Sequence, residues 1–222
     1  MIYAIYMASP EDEPLVRVNA RWLEHHMDAD EVVTIGHHEQ GPAGMRYLRT
    51  PEHGPTACEE LLAIVTALRE ACPPGGVVTL LQAPVLVQDW HTMPLDSGSH
   101  GALGELTDDG SVSMLCWSAT DTGLADMAGW LSVMGKAPQA GALTMERALT
   151  LAMCHVAPVL IWSQAEEARH EVQRPTAGAS VYNVGSQAVI EACLTAGLNV
   201  HDNVTRLMET LTQPQQEVRY AD

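Results

Sequence analysis

The strongest constraint on this chain is an alternation of short strand-like runs with segments of helical spacing. Ile2–Met7, Glu31–Ile35 and Met45–Leu48 read as strands. Between the first two, Leu15, Val18, Trp22 and Leu23 recur at helical intervals to about His26. Ser9 can cap that helix, with Pro10 at its first position and Glu11, Asp12 and Glu13 in the first turn, where negative charge suits the helix dipole. A β-α-β unit of this kind implies a parallel, right-handed crossover.

The same grammar continues. Thr56, with Glu59 three residues on, has the spacing of a capping box. It opens a helix through about Cys72 that carries Leu61, Leu62, Ile64, Val65 and Leu68, and Pro73-Pro74-Gly75-Gly76 stops it. The most strand-like stretch of the chain follows, Val77 through His91, ending in Gln88-Asp89-Trp90-His91, with polar and acidic residues directly after it. From Thr92 to Gly110 the glycines and aspartates predict a long loop, and a loop of that length in a compact domain is usually functional or mobile. Ser111–Trp117 is expected as a strand, Thr122–Met134 and Thr144–His155 as helices, and Val156–Trp162 as a strand broken by Pro158. Further on, Gln164–Gln173, Ser186–Ala196 and Val204–Thr212 read as helices and Val181–Val184 as a short strand. The predicted fold class is α/β, with a mainly parallel central sheet flanked by helices in a Rossmann-like arrangement. The 222 residues are expected to form a single domain with two functional halves, 1–91 and 92–213, and a polar tail at 214–222.

Charge narrows the ligand classes. With 28 acidic residues against 11 basic ones, the formal net charge is −17. A nucleic-acid backbone needs a basic patch and is not an expected partner. A small anionic ligand held by one or two Arg remains compatible. No apolar run approaches the ~20 residues of a membrane-spanning helix, so no membrane partner is expected. Five well-separated Cys without a CxxC, and no signal peptide, point to free thiols in a reducing, cytoplasmic compartment.

Ligands of parallel α/β sheets sit beyond the carboxyl ends of the strands. That places Ala8, Ser9, Gly36 to His38, and Gln82 or Asp89 to His91 near one crevice. Asp89 and His91 are alternate residues of an extended segment, so both could reach one divalent ion that bridges a diphosphate. The alternative is a surface turn with Trp90 packed inward. Glu146, at a helix start, is either a general base or simply a favourable partner of the dipole. Asp96 and Glu105, in the expected loop, are further acidic candidates, and His53 lies in a loop facing the crevice. There is no HExxH, no zinc-finger spacing, no GxSxG elbow, no Walker motif and no GxGxxG.

Arg46-Tyr47-Leu48-Arg49-Thr50-Pro51-Glu52-His53-Gly54-Pro55-Thr56-Ala57 leads into an Ala/Leu helix, and the following strand runs into Gln82-Ala83-Pro84-Val85-Leu86-Val87-Gln88-Asp89-Trp90. Together with the opening β-α-β unit, this order resembles the nucleotide-sugar-binding half of GT-A-type glycosyltransferases. Ser113–Ser118 resembles their acceptor-side strand. Thr144-Met145-Glu146-Arg147-Ala148-Leu149-Thr150-Leu151-Ala152 resembles the helix that supplies the base in inverting members. The resemblance implies a nucleotide-sugar donor, an unidentified sugar acceptor, and a divalent cofactor such as manganese or magnesium. Ala8, Ser9, His38 and His53 would contact the donor, Asp89 and His91 would hold the metal, and Glu146 would deprotonate the acceptor. The family's DxD carboxylates fall on Gln82 and Pro84, so Asp89-Trp90-His91 stands as a displaced version of that motif. A metal-independent arrangement would instead need Arg46, Arg49 or Lys136 on the diphosphate. Two other classes compete: a non-enzymatic binding or assembly protein, forming a homo-oligomer or presenting its acidic surface to a protein partner, and a metal-dependent hydrolase using Asp89, His91, Asp96 and Glu146.

Overall fold

In the computed structural model, residues 1–26, 29–51, 54–83, 85–87, 102–106, 110–156, 160–162 and 181–183 are described. β1 is Ile2–Tyr6, followed by a 3₁₀ turn at Pro10–Asp12 and helix α1 at Glu13–His26. β2 (Glu31–Gly36) and β3 (Arg46–Arg49) precede α2 (Ala57–Ala71), β4 (Val77–Gln82) and β5 (Val85–Val87). β6 (Ala102–Leu106) and β7 (Val112–Thr120) precede α3 (Asp121–Met134) and α4 (Met145–Val156). The remaining elements are β8 (Leu160–Trp162) and β9 (Val181–Asn183).

Seven strands form one sheet in the order β3-β2-β1-β4-β7-β6-β8. β1 pairs in parallel with β2 and β4, and β2 with β3. β7 runs antiparallel to both β4 and β6, and β6 is parallel to β8. Six strands therefore share one direction and β7 alone is reversed, as a mainly parallel α/β sheet requires. All six end at one edge, which is where β7 begins.

Strand alternation divides the core. From β1, Ile2, Ala4 and Tyr6 join Val33, Ile35, Val78, Leu80, Trp117 and Ala119 beneath α2, α3 and α4. Tyr3, Ile5 and Met7 face the other way, onto Val16, Ala20 and Leu23 of α1. That second face is also lined by hydroxyls. Thr79 and Ser118, both fully buried, pair across β4 and β7 at 2.7 Å, so neither oxygen is left unsatisfied.

Several local expectations hold in altered form. Ser9 caps with a full box, accepting from the Glu11 N–H while Asp12 accepts from the Ser9 N–H, but the turn it opens is 3₁₀ and the α-helix starts only at Glu13. Thr56 accepts from the Glu59 N–H and donates to the Glu59 carboxylate. α3 starts at Asp121, one residue before the expected Thr122, with Thr120 as its cap, and β7 extends three residues past Trp117 before the chain turns. α4 takes in Val156, which leaves β8 only Leu160–Trp162.

Two expectations are overturned. The run from Val77 is not one strand: β4 ends at Gln82, and Val85–Val87 leaves the main sheet to pair antiparallel with β9. The expected loop from Thr92 to Gly110 contains β6, a short segment whose central Gly104 hid its antiparallel pairing with β7. The expected helices at 164–173, 186–196 and 204–212 lie outside the described residues.

Candidate functional site

At the carboxyl edge of the sheet the ends of the parallel strands β1, β2 and β3 are joined. The Met7 N–H donates to the Ile35 carbonyl at 2.9 Å, and the Thr50 N–H donates to the Gly36 carbonyl at 2.7 Å, so the ends of β1, β2 and β3 are laced together. Gly36 is required there by space. A Cβ at that position would lie 2.8 Å from the Met7 carbonyl oxygen and 3.1 Å from the Tyr47 hydroxyl.

Just past these ends, Ala8 and His38 meet: His38 Nε2 lies 3.1 Å from the Ala8 carbonyl oxygen. The Tyr47 hydroxyl donates to the His38 carbonyl at 3.1 Å, and the His37 and His38 rings pack with centroids 4.0 Å apart. Tyr47 is therefore the strut under the His38 loop. Burial pushes the Tyr47 phenol above its ordinary value despite the hydrogen bond to His38 and the nearby Arg49, both of which pull it down. Sequence reasoning passed over Tyr47. Gly41 leaves room for the Tyr47 ring, which comes to 2.3 Å from where a Cβ would sit, a closeness that only the folded chain shows.

Of the expected donor contacts, Ala8, Ser9 and His38 are thus neighbours at one place. Ala8 is exposed and Ser9 and His38 are half-buried. His53, Asp89 and His91 lie outside the described residues, as does Asp96. Glu105 falls in β6, opposite Ser113 of β7. Of the three candidate cations, Arg46 is already committed, with two hydrogen bonds to Glu31 at 2.9 and 3.0 Å. Arg49, at the end of β3, and Lys136, after α3, are exposed and form no ion pair among the described residues.

Glu146 sits in the first turn of α4, half-buried. The helix is pinned to the same edge of the sheet by Thr150. Its hydroxyl accepts from the Val112 N–H at 2.5 Å and donates to the Glu146 carbonyl at 2.7 Å. Val112 opens β7, two strands away from β1. At about 4.8 Å per strand spacing, Val112, the residue that Thr150 grips, lies roughly 10 Å across the sheet from β1.

A divalent ion would need oxygen or imidazole ligands converging at that edge. Among the described residues no three His, Cys, Asp or Glu side chains are grouped to hold one, and Gln82 ends β4 with a neutral amide. The described residues do not supply that set of ligands.

No protein-family profile matches the chain, and no curated protein matches it. Solved structures do. The galactosyltransferase LgtC, in complex with donor and acceptor sugar analogs, superimposes with a TM-score of 0.54 at 13% identity, over 98% of each chain. A glycosyltransferase involved in glycosylation of the major capsid of PBCV-1 gives 0.53 at 10% identity, over 86% of this chain and 96% of that one. An active-site mutant of LgtC gives 0.52 at 12%. At such identities the likeness is one of fold: the chain has a GT-A-like α/β fold, with one reversed strand in an otherwise parallel sheet. No helix among the described residues is long and apolar enough to cross a membrane.

Proposed function

We propose that this protein is a GT-A-like glycosyltransferase that moves a sugar from a nucleotide-sugar donor to a hydroxyl acceptor. The observation that carries the reading is the joined end of β1 and β2, where Ala8, Ser9 and His38 stand together, with Arg49, which forms no ion pair among the described residues, at the end of β3. Similarity of fold to sugar-transferring enzymes over nearly the whole chain supports it.

In this reading the nucleoside lies against Ala8, Ser9 and His38, with Tyr47 holding His38 in place. Arg49 faces the diphosphate, because a guanidinium matches phosphate oxygens in a bidentate way. Glu146 takes the proton of the acceptor hydroxyl. The acceptor oxygen then bonds to the anomeric carbon, and the bond from that carbon to the diphosphate oxygen breaks. The nucleoside diphosphate leaves with the electron pair, its charge met by Arg49.

Thermal shift with UDP-, GDP- and CDP-sugars, with and without manganese, tests the donor half. At least one donor is expected to raise the midpoint, and Arg49→Ala is expected to reduce that rise. No shift with any of them sinks the reading in favour of a non-enzymatic binding protein. A donor shift with no sugar transfer to a hydroxyl acceptor, in wild type and Glu146→Gln alike, leaves nucleotide binding without catalysis. Release of free phosphate from simple phosphoesters would instead favour a hydrolase.

A further inference from the structure

Away from the sheet edge, α3 and α4 leave a groove on the outer side of the helical layer. It is lined by Ala125, Asp126, Gly129, Trp130 and His155 and encloses about 440 Å³, which is in the range of small-ligand sites. Asp126 and Trp130 stand four residues apart, on one face of α3. Gly129 keeps the floor open, since a Cβ there would meet no atom within 4 Å. His155 comes across from the last turn of α4. Its ring centroid is 6.2 Å from that of Trp130, with the planes tilted by 37°.

The chemistry of this groove is unspent. Among the described residues, Asp126 forms no ion pair or hydrogen bond, and neither do Trp130 and His155 beyond their mutual ring contact. Trp130 is half-buried and packs partly on the core, so one side of its indole is fixed. The result is two tilted aromatic walls beside an uncompensated carboxylate.

We propose that the groove between α3 and α4 binds a small organic cation, with the ammonium group over the groove-facing side of the Trp130 ring and against Asp126. Aromatic faces attract cations through the ring quadrupole. A carboxylate without a cationic neighbour adds a charge that a neutral ligand would leave uncompensated. The chain's net charge of −17 favours the same sign of ligand at longer range. This site shares no residue with the carboxyl edge and stands whether or not sugar transfer is found.

The test uses the full chain and follows tryptophan indole N–H resonances during titration with choline and with its neutral isostere 3,3-dimethylbutan-1-ol. Choline is expected to shift one indole resonance saturably, and the isostere is not. Trp130→Leu identifies that resonance. Asp126→Asn, at an exposed position that leaves the packing alone, is expected to weaken choline about two- to fivefold, the worth of one exposed charge contact. Equal binding of the isostere would reduce the site to an apolar groove and overturn the proposal. So would choline binding unchanged in Asp126→Asn, glucose shifting the same resonance while choline does not, or no shift by choline up to tens of millimolar.

Discussion

Thr150→Val tests how α4 is held to the sheet edge, because it removes one hydroxyl and little volume. Thr150 is 9% exposed and Val112 is 1% exposed, so no bulk water replaces the lost acceptor. The Val112 N–H would lose the 2.5 Å bond to the Thr150 hydroxyl and be stranded. A buried donor left unpaired costs about 1–3 kcal/mol. The bond from the Thr150 hydroxyl to the Glu146 carbonyl adds little, since that carbonyl belongs to the helix ladder and keeps other donors nearby. The expected loss is about 2 kcal/mol, which in a chain of this size lowers the melting midpoint by roughly 4–8 °C. Thr150→Ser keeps the hydroxyl and is expected to cost less than about 1 kcal/mol, the worth of one methyl group. Urea denaturation followed by circular dichroism, with the slope unchanged, reads both values. If Thr150→Val falls within ~0.5 kcal/mol of wild type, the hydroxyl is not what ties α4 to β7. If Thr150→Ser costs as much as Thr150→Val, packing rather than hydrogen bonding is responsible.

Other perturbations separate further parts of the argument. Gly36→Ala forces a Cβ to within 2.8 Å of the Met7 carbonyl and pushes the ends of β1 and β2 apart; it is expected to cost about 1–3 kcal/mol and to abolish any donor-induced thermal shift. Trp117 is buried, and its indole N–H has no acceptor among the described residues. Trp117→Phe, which removes that donor, is expected to cost under about 1.5 kcal/mol, while Trp117→Ala costs about 3–5 kcal/mol, both by chemical denaturation. Burial, and secondarily Cys116, raises the Tyr3 phenol above its ordinary value of 10.0, and burial with Glu60 and Tyr47 does the same for Tyr6. Unfolded tyrosines ionise near 10 while these two keep their protons to higher pH. Their contribution is therefore whole below pH 10 and lost above it, and Tyr6→Phe is expected to flatten the alkaline fall in stability.

The first half of the fold was legible because its signals are local. Ser9 and Thr56 announce their turns, and the apolar runs of β1, β2 and β4 are bounded by Pro and Gly. What was hidden depends on partners distant in sequence. β6 carries Gly104 at its centre and reads as loop until it is paired with β7. Val85–Val87 is as strand-like as β4, yet it pairs with residues 181–183, nearly a hundred positions away. The site follows the same rule. Ala8, Ser9 and His38 could be grouped because parallel strands bring their carboxyl ends to one edge. Tyr47 could not, since its hydroxyl finds the His38 carbonyl only through the turn between β2 and β3. Arg46 and Arg49 are equivalent on paper, and only Glu31 across the strand pair tells them apart.

β7 advances four residues, from Trp117 to Ser113, while β6 advances one, from Gly104 to Glu105. On the inner side of this slip Trp117 and Ala119 face the α2–α4 layer and Cys116 faces α1. On the outer side Val112 and Met114 face the α2–α4 layer again. The pairing of Cys116–Thr120 with β4 continues undisturbed. The strand thus works as a slip joint: its inner end is locked into the sheet, while its outer end, which anchors α4 and Glu146, is free of that register. A residue gained or lost between Ser113 and Leu115 would be absorbed there instead of turning the whole strand over. Variation in the reach of the Glu146 helix along the sheet edge can therefore accumulate in this stretch while the core under α2 and α3 stays intact.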